Sequence, residues 1–358
     1  MPLTRLDLID EGMAVALAGP DAEMFGIGST VIAFGPAGPV IIADAVDELT
    51  TSGVWNSREF RLRGPGPATI AARIWEADPF QRAHVFTRLK DRCIYLGTAQ
   101  RVRGEQTREQ FVLCVWRLDS ELSREVLDTV RPPSTPVALP DLEWLDYVRT
   151  DPATALERFV TGWYPASEAP SRPKLSNCTP GPLASFYRLA QERPAILGAQ
   201  NRILPEAKLY TDDSADHLVF GEENQGGFVW SFRWSLDFAE SDPTVWFTEE
   251  EPSPEREPMS GFLLQFSLFE AVVSAPYWAS VDCLPERLTR EITRTLHQVP
   301  LRPWQWPSDP THFYVAPGLA AYVSDHGNGG FDVWVGAKHR NALRPLGERG
   351  FSWRRFDG

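Results

Sequence analysis

The chain is expected to be α+β throughout. A small β-rich α+β domain should cover residues 1–130 and a proline-rich linker 131–140. The larger domain, 141–358, should place helices before an antiparallel sheet, with helices packed on one face of it. Three observations support this. The 358 residues exceed what one core holds, since single cores rarely grow past about 250–300 residues. The stretch RPPSTPVALP at 131–140 has four prolines and no apolar period, as an extended linker would. Apolar spacing changes from mainly alternating before that stretch to helical, and then to alternating again, after it.

Before the linker, Thr30–Phe34 and Val40–Ala43 are short apolar runs around GPAGP, a turn signal. RAHVFTR at 82–88, RCIYLG at 92–97 and QFVLCVWR at 110–117 are β-branched and aromatic runs bounded by polar turns. Helices are expected at 68–77, from Ile70, Ile74 and Ala77, and at 120–130, from Leu122, Val126 and Val130. After the linker, helices are expected at 140–150, at 151–161 from its Asp-Pro start, and at 182–192, where Pro194 ends the run. Strands should follow at 218–220, 227–234 and 245–247. A long helix at 259–273 carries Phe262, Leu263, Phe266, Phe269 and Val273 on one face, with Ser260 as its cap. A short helix at 284–297 and strands at 311–315, 320–324 and 331–336 close the chain.

Composition narrows the function classes. No apolar run approaches the roughly 20 residues of a membrane span, and the N-terminus lacks the basic start of a signal peptide. A cytoplasmic protein is therefore expected. Cys93, Cys114, Cys178 and Cys283 stand far apart, as buried reduced thiols would. Lysine occurs only at 90, 174, 208 and 338, and arginine supplies the other basic groups. With abundant alanine, proline and tryptophan, that skew points to a GC-rich bacterial genome, such as an actinobacterial one.

Charge is unevenly placed. Residues 58–131 hold 14 basic and 10 acidic side chains, whereas residues 206–282 hold 16 acidic and 3 basic. The second imbalance equals the whole chain's net charge of −13. An acidic face of that size repels nucleic acid and anionic membranes and steers basic partners toward itself. The arginines of the first domain, among them Arg58, Arg61, Arg63, Arg82, Arg88 and Arg92, leave open an alternative in which that domain binds nucleic acid.

No catalytic or metal pattern emerges. The six histidines form no HExxH or HxH pair, and no nucleophile elbow, P-loop or dinucleotide fingerprint follows a strand. No cofactor, metal or catalytic residue is therefore expected. TEEEPSPERE at 248–257 reads as an exposed acidic loop, and Trp304 and Trp306 in RPWQWP as exposed anchors of an interface.

The stretch 217–246 carries the most specific signal. An apolar strand runs into Glu222, Glu223, Asn224 and Gln225, then the glycine pair at 226–227, a second aromatic strand, and DPTVW at 242–246. Gly226 suits a turn that needs positive φ, with Asn224 and Gln225 tying it down. PGPLASFYRLAQERPAILGAQNRILP at 180–205, LVFGEENQGGFVWSF at 218–232, PEREPMSGFLLQFSLFEAVV at 254–273, HFYVAPGLAAYV at 312–323 and VWVGAKH at 333–339 accompany it in order. On these motifs residues 150–358 resemble the SUKH (Smi/Knr-like) superfamily in its bacterial immunity-protein form. The sequence departs from the family at Phe228 and at 191–193. The resemblance implies a non-catalytic protein that neutralises a polymorphic toxin, often a nuclease or deaminase. It makes Asn224, Gln225, Gly226, Asp242, Pro243 and Trp246 structural. Asp212, Asp213, Glu222, Glu223, Glu249, Glu250, Glu251, Trp304 and Trp306 remain as candidates to meet a basic toxin.

Overall fold

Apolar side chains gather into separate cores on either side of a division at Pro136/Val137. The chain splits into two compact units, Met1–Pro136 with Asp357 and Val137–Phe356 with Gly358. The computed structural model describes residues 3–45, 53–76, 81–107, 110–132, 138–168, 179–212, 215–233, 241–347 and 352–358.

The first unit is built on one nine-stranded sheet. Its elements are β1 (Leu8–Ile9), α1 (Glu11–Ala16), β2 (Glu23–Ile27), β3 (Thr30–Gly35), β4 (Gly38–Asp44), β5 (Gly53–Trp55), β6 (Glu59–Pro67), α2 (Ala68–Glu76), β7 (Ala83–Leu89), β8 (Arg92–Gln106), β9 (Gln110–Leu118) and α3 (Arg124–Val130). The strand order is β2-β3-β4-β7-β8-β9-β6-β5, with β1 paired to the start of β8. The pairing β4–β7 is parallel and the others are antiparallel. Ile70, Ala71 and Ile74 of α2 join Leu127 and Val130 of α3 in one core with Phe60, Leu62 and Trp116, while Ala14 of α1 packs with Val40, Ile42 and Phe86 in another. The expected helix at 120–130 starts later, because Ser123 is its cap and accepts the amide of Val126. The expected strand at 92–97 runs on to Gln106.

The second unit contains α4 (Pro152–Trp163), α5 (Gly181–Glu192), β10 (Asn201–Ile203), β11 (Tyr210–Thr211), β12 (His217–Glu223), β13 (Val229–Arg233), β14 (Thr244–Thr248), β15 (Pro252–Pro258), α6 (Met259–Val273), β16 (Tyr277–Pro285), α7 (Glu286–Thr293), β17 (His297–Gln298), β18 (Thr311–Ala316), β19 (Leu319–Asp325), β20 (Gly330–Ala337), α8 (Arg340–Gly347) and β21 (Arg355–Phe356). The α+β class is thus observed, but this unit has two antiparallel sheets where one was expected. One runs β10-β12-β13-β14-β15 with β11 on β12, and the other β17-β18-β19-β20-β16-β21.

Helix α6 joins the two sheets and packs on both, with Phe262 against Phe220 and Trp230, and Phe269 against Tyr322. Its expected bounds are met, but its expected single apolar face is not. Thirteen of its residues are buried, and a helix apolar on all sides belongs inside a core. Each buried polar side chain in it has at least one partner, although Gln265 Oε1 has none. Gln265 donates to the Arg302 carbonyl at 2.7 Å, Ser267 to the Leu263 carbonyl at 2.8 Å, and Glu270 accepts the amides of Ala199, Gln200 and Asn201. Close approach to β20 depends on Gly336, where an added Cβ would lie 2.7 Å from the Val272 backbone.

A side-chain cap starts α4 as it does α3. Asp151 accepts the amide of Thr154 ahead of Pro152 in α4. The expected helix at 140–150 contracts to a single 3-10 turn at Glu143–Tyr147. Ser260 does not cap α6. Instead Asp242 accepts both its amide, at 2.9 Å, and its hydroxyl, at 2.7 Å, and the Pro243 carbonyl accepts the Met259 amide. The Asp242–Pro243 pair therefore fixes the start of the central helix.

Candidate functional site

Strand register gathers several of the singled-out residues at one end of the β10–β15 sheet. Arg202, Glu222, Val229, Thr248 and Pro252 are cross-strand neighbours in one row. Past that row lie two turns, one joining β12 to β13 and the other joining β14 to β15. The second turn consists of Glu249, Glu250 and Glu251, all exposed. Asn224, Gln225 and Gly226 are exposed on the first, and Glu222 is partly so.

The first turn is held by a residue expected at the surface. Glu223 is buried, and its carboxylate accepts the Gln225 amide at 2.6 Å, the Gly227 amide at 3.3 Å and the Gln200 side-chain amide at 3.4 Å. Gly226 takes φ +77°, as the turn requires. Glu223, rather than Asn224 or Gln225, is therefore the pin, and it is buried where an exposed position was expected.

An aromatic layer underlies this end. Phe228 is buried with its ring centroid 4.4 Å from that of half-buried Trp306 and 4.9 Å from Phe247. Trp304, expected to be an exposed anchor, is wholly buried and stacks on Trp230 at 5.8 Å. Its indole N–H and that of Trp230 both donate to one oxygen of Glu255, at 3.1 and 3.2 Å. Burial pushes the Glu255 carboxyl up to about 7, against the opposing pull of the hydrogen bonds from Trp230, Gln305 and Trp304. Burial also pushes the Glu270 carboxyl up, opposed by its three backbone donors.

The run 248–257 is accordingly not one exposed loop. Its second half is β15, whose alternate residues Glu255 and Glu257 turn inward. Four of its side chains hold the 302–309 segment. Ser253 donates to Gln305 at 3.0 Å, Glu255 accepts from Trp304, Arg256 makes a two-bond pair with Asp309 at 2.7 and 2.8 Å, and Glu257 accepts the Arg302 amide at 2.6 Å.

The remaining candidates lie elsewhere. Asp212 sits at the opposite end of β12 and accepts the amides of Asp216 and His217. Asp213 lies outside the described residues. Trp246 is half-buried, with its ring 5.6 Å from that of His217. In the first unit, Arg58 pairs with Glu121 at 3.4 Å, Arg61 with Glu59 at 3.4 Å and Arg82 with Asp119; Arg88 pairs with Glu11 at 2.9 Å and with Asp44. Arg63 is half-exposed on β6, and Arg92 is exposed at the start of β8. Cys93 and Cys114 are buried, and burial pushes the Cys114 thiol up to about 12; Cys283, expected to be buried, is exposed. Cys178 lies outside the described residues.

Among the described residues, no group of three or more His, Cys, Asp or Glu side chains is arranged to hold a metal ion. No helix among them is long and apolar enough to cross a membrane. The chain matches no family model, no curated protein and no solved structure.

Proposed function

We propose that the chain is a non-catalytic immunity-type protein that binds and neutralises a basic bacterial toxin through the acidic end of the β10–β15 sheet. The observation that carries this reading is the convergence there of Glu222 and Glu249–Glu251 with the exposed amide side chains of Asn224 and Gln225, above the Phe228–Trp306 layer. Glu222, beside the turn pinned at Glu223, and Glu249–Glu251, on the turn that leads into the stitched strand β15, form an acidic rim. Such a rim speeds association with a basic surface and makes binding salt-sensitive. The SUKH-like motif order within 150–358 supports the same class.

The pairings of Arg58, Arg61, Arg82 and Arg88 with carboxylates reduce the positive field that nucleic-acid binding by the first unit would need. The test is co-expression with a basic toxin encoded beside the gene. Full-length protein should rescue growth and form a salt-sensitive complex. Reversing Glu249, Glu250 and Glu251 to lysine should slow association by about tenfold or more without unfolding the protein. Failure to bind or neutralise any neighbouring toxin would remove the reading.

A further inference from the structure

A concave surface in the same unit shares no residue with the acidic end. It is a groove of about 600 Å³ between the segment Ala138–Leu142, helix α4 and the turn joining β18 to β19. That volume lies within the roughly 300–1,000 Å³ typical of ligand sites. Its apolar lining comes from Leu139, Trp144, Phe159, Trp163 and Leu319. Its rim is polar, with Asp141, Thr154, Glu157 and Thr161.

The sign of the rim follows from its pairings. Arg158 also lines the groove, but its guanidinium pairs with Glu143 at 3.0 Å and lies over the Tyr147 ring at 4.7 Å. Lys338, the residue after β20, donates its ammonium to the Trp163 carbonyl. The exposed carboxylates of Asp141 and Glu157 therefore set the charge at the mouth. An apolar floor beneath an acidic rim is complementary to a chain that offers apolar and cationic groups together. A polyamine would leave the floor unfilled, and an uncharged apolar segment would leave the carboxylates unanswered.

We infer that this groove holds a short linear segment of a partner protein in which apolar side chains alternate with arginine or lysine. Apolar side chains enter toward Phe159 and Leu319, while the cationic groups reach Asp141 and Glu157. The inference is independent of the toxin reading, because the two surfaces use different residues.

Fluorescence anisotropy on the full chain at low salt tests it, using a fluorescein-labelled six-residue peptide of alternating leucine and arginine. Saturable binding is expected, and the matching leucine–glutamate peptide should not bind. Glu157→Arg, at an exposed helix position, should weaken binding by about tenfold or more, and tenfold corresponds to about 1.4 kcal/mol. Thr161→Trp, which fills the groove, should abolish binding, and circular dichroism will confirm that both variants are folded. The combined Glu249→Lys, Glu250→Lys and Glu251→Lys variant should leave peptide binding unchanged. The inference is overturned by an absence of saturable binding, by equal affinity in Glu157→Arg, by spermidine displacing the peptide as well as unlabelled peptide does, or by loss of binding only in the 249–251 variant.

Discussion

Replacing Glu255 with glutamine should change how the stability of this protein depends on pH. The side chain is 5% exposed and lies between two indole donors, and burial raises its carboxyl from the ordinary 4.5 to about 7. The folded chain therefore holds this proton more tightly than the unfolded chain. Below about pH 4.5 both states are protonated and the group is neutral in its effect. As pH rises toward 7 the unfolded chain ionises first, so stability falls; above 7 the loss is constant. At about 1.4 kcal/mol per pH unit the full loss is about 3 kcal/mol. Between pH 5 and pH 8 about 2.5 kcal/mol of it is expressed, because the unfolded chain is already partly ionised at pH 5.

Glutamine keeps an acceptor for Trp230 and Trp304 but does not titrate. Urea unfolding, followed by tryptophan fluorescence at both pH values, should show the change in stability from pH 5 to pH 8 differing by about 2.5 kcal/mol between the two proteins. Other titrating groups cancel in that double difference, including Glu270, which works in the same direction. An identical pH dependence in both proteins would refute the argument.

Two further predictions concern α6. Gly336→Ala places a methyl group against the Val272 backbone and should cost about 1–3 kcal/mol in urea unfolding, as overpacking does. Asp242→Ala removes the side chain that accepts from Ser260 and should cost about 1 kcal/mol, with Asp242→Asn recovering much of it, as measured by thermal unfolding.

Local chemistry was legible in the sequence, and long-range pairing was not. Asp151-Pro152, the break at Pro194 and the apolar run 259–273 act within a few residues of themselves, so their structural consequences could be read directly. Glu255 and Glu257 resembled their exposed neighbours Glu249–Glu251, because the groups that receive them, Trp304 and the Arg302 amide, lie more than 40 residues away. The same separation concealed the burial of Trp304. Two signals in the sequence could have revealed more. The strand-period alternation of PSPEREP marked Glu255 and Glu257 as sharing a face, and Gln265, Ser267 and Glu270 inside an apolar run called for buried partners. At the candidate site, the acidic composition was visible, but the meeting of two turns depended on strand register, which no local motif encodes.

Because α6 has no side turned to water, the second unit has no seam at which it could be divided. A break between β15 and β16 would give each half an incomplete shell around one shared helix, and neither half would be soluble alone. Split-reporter fusions, domain-swapped copies and evolutionary recombination should all avoid residues 259–285.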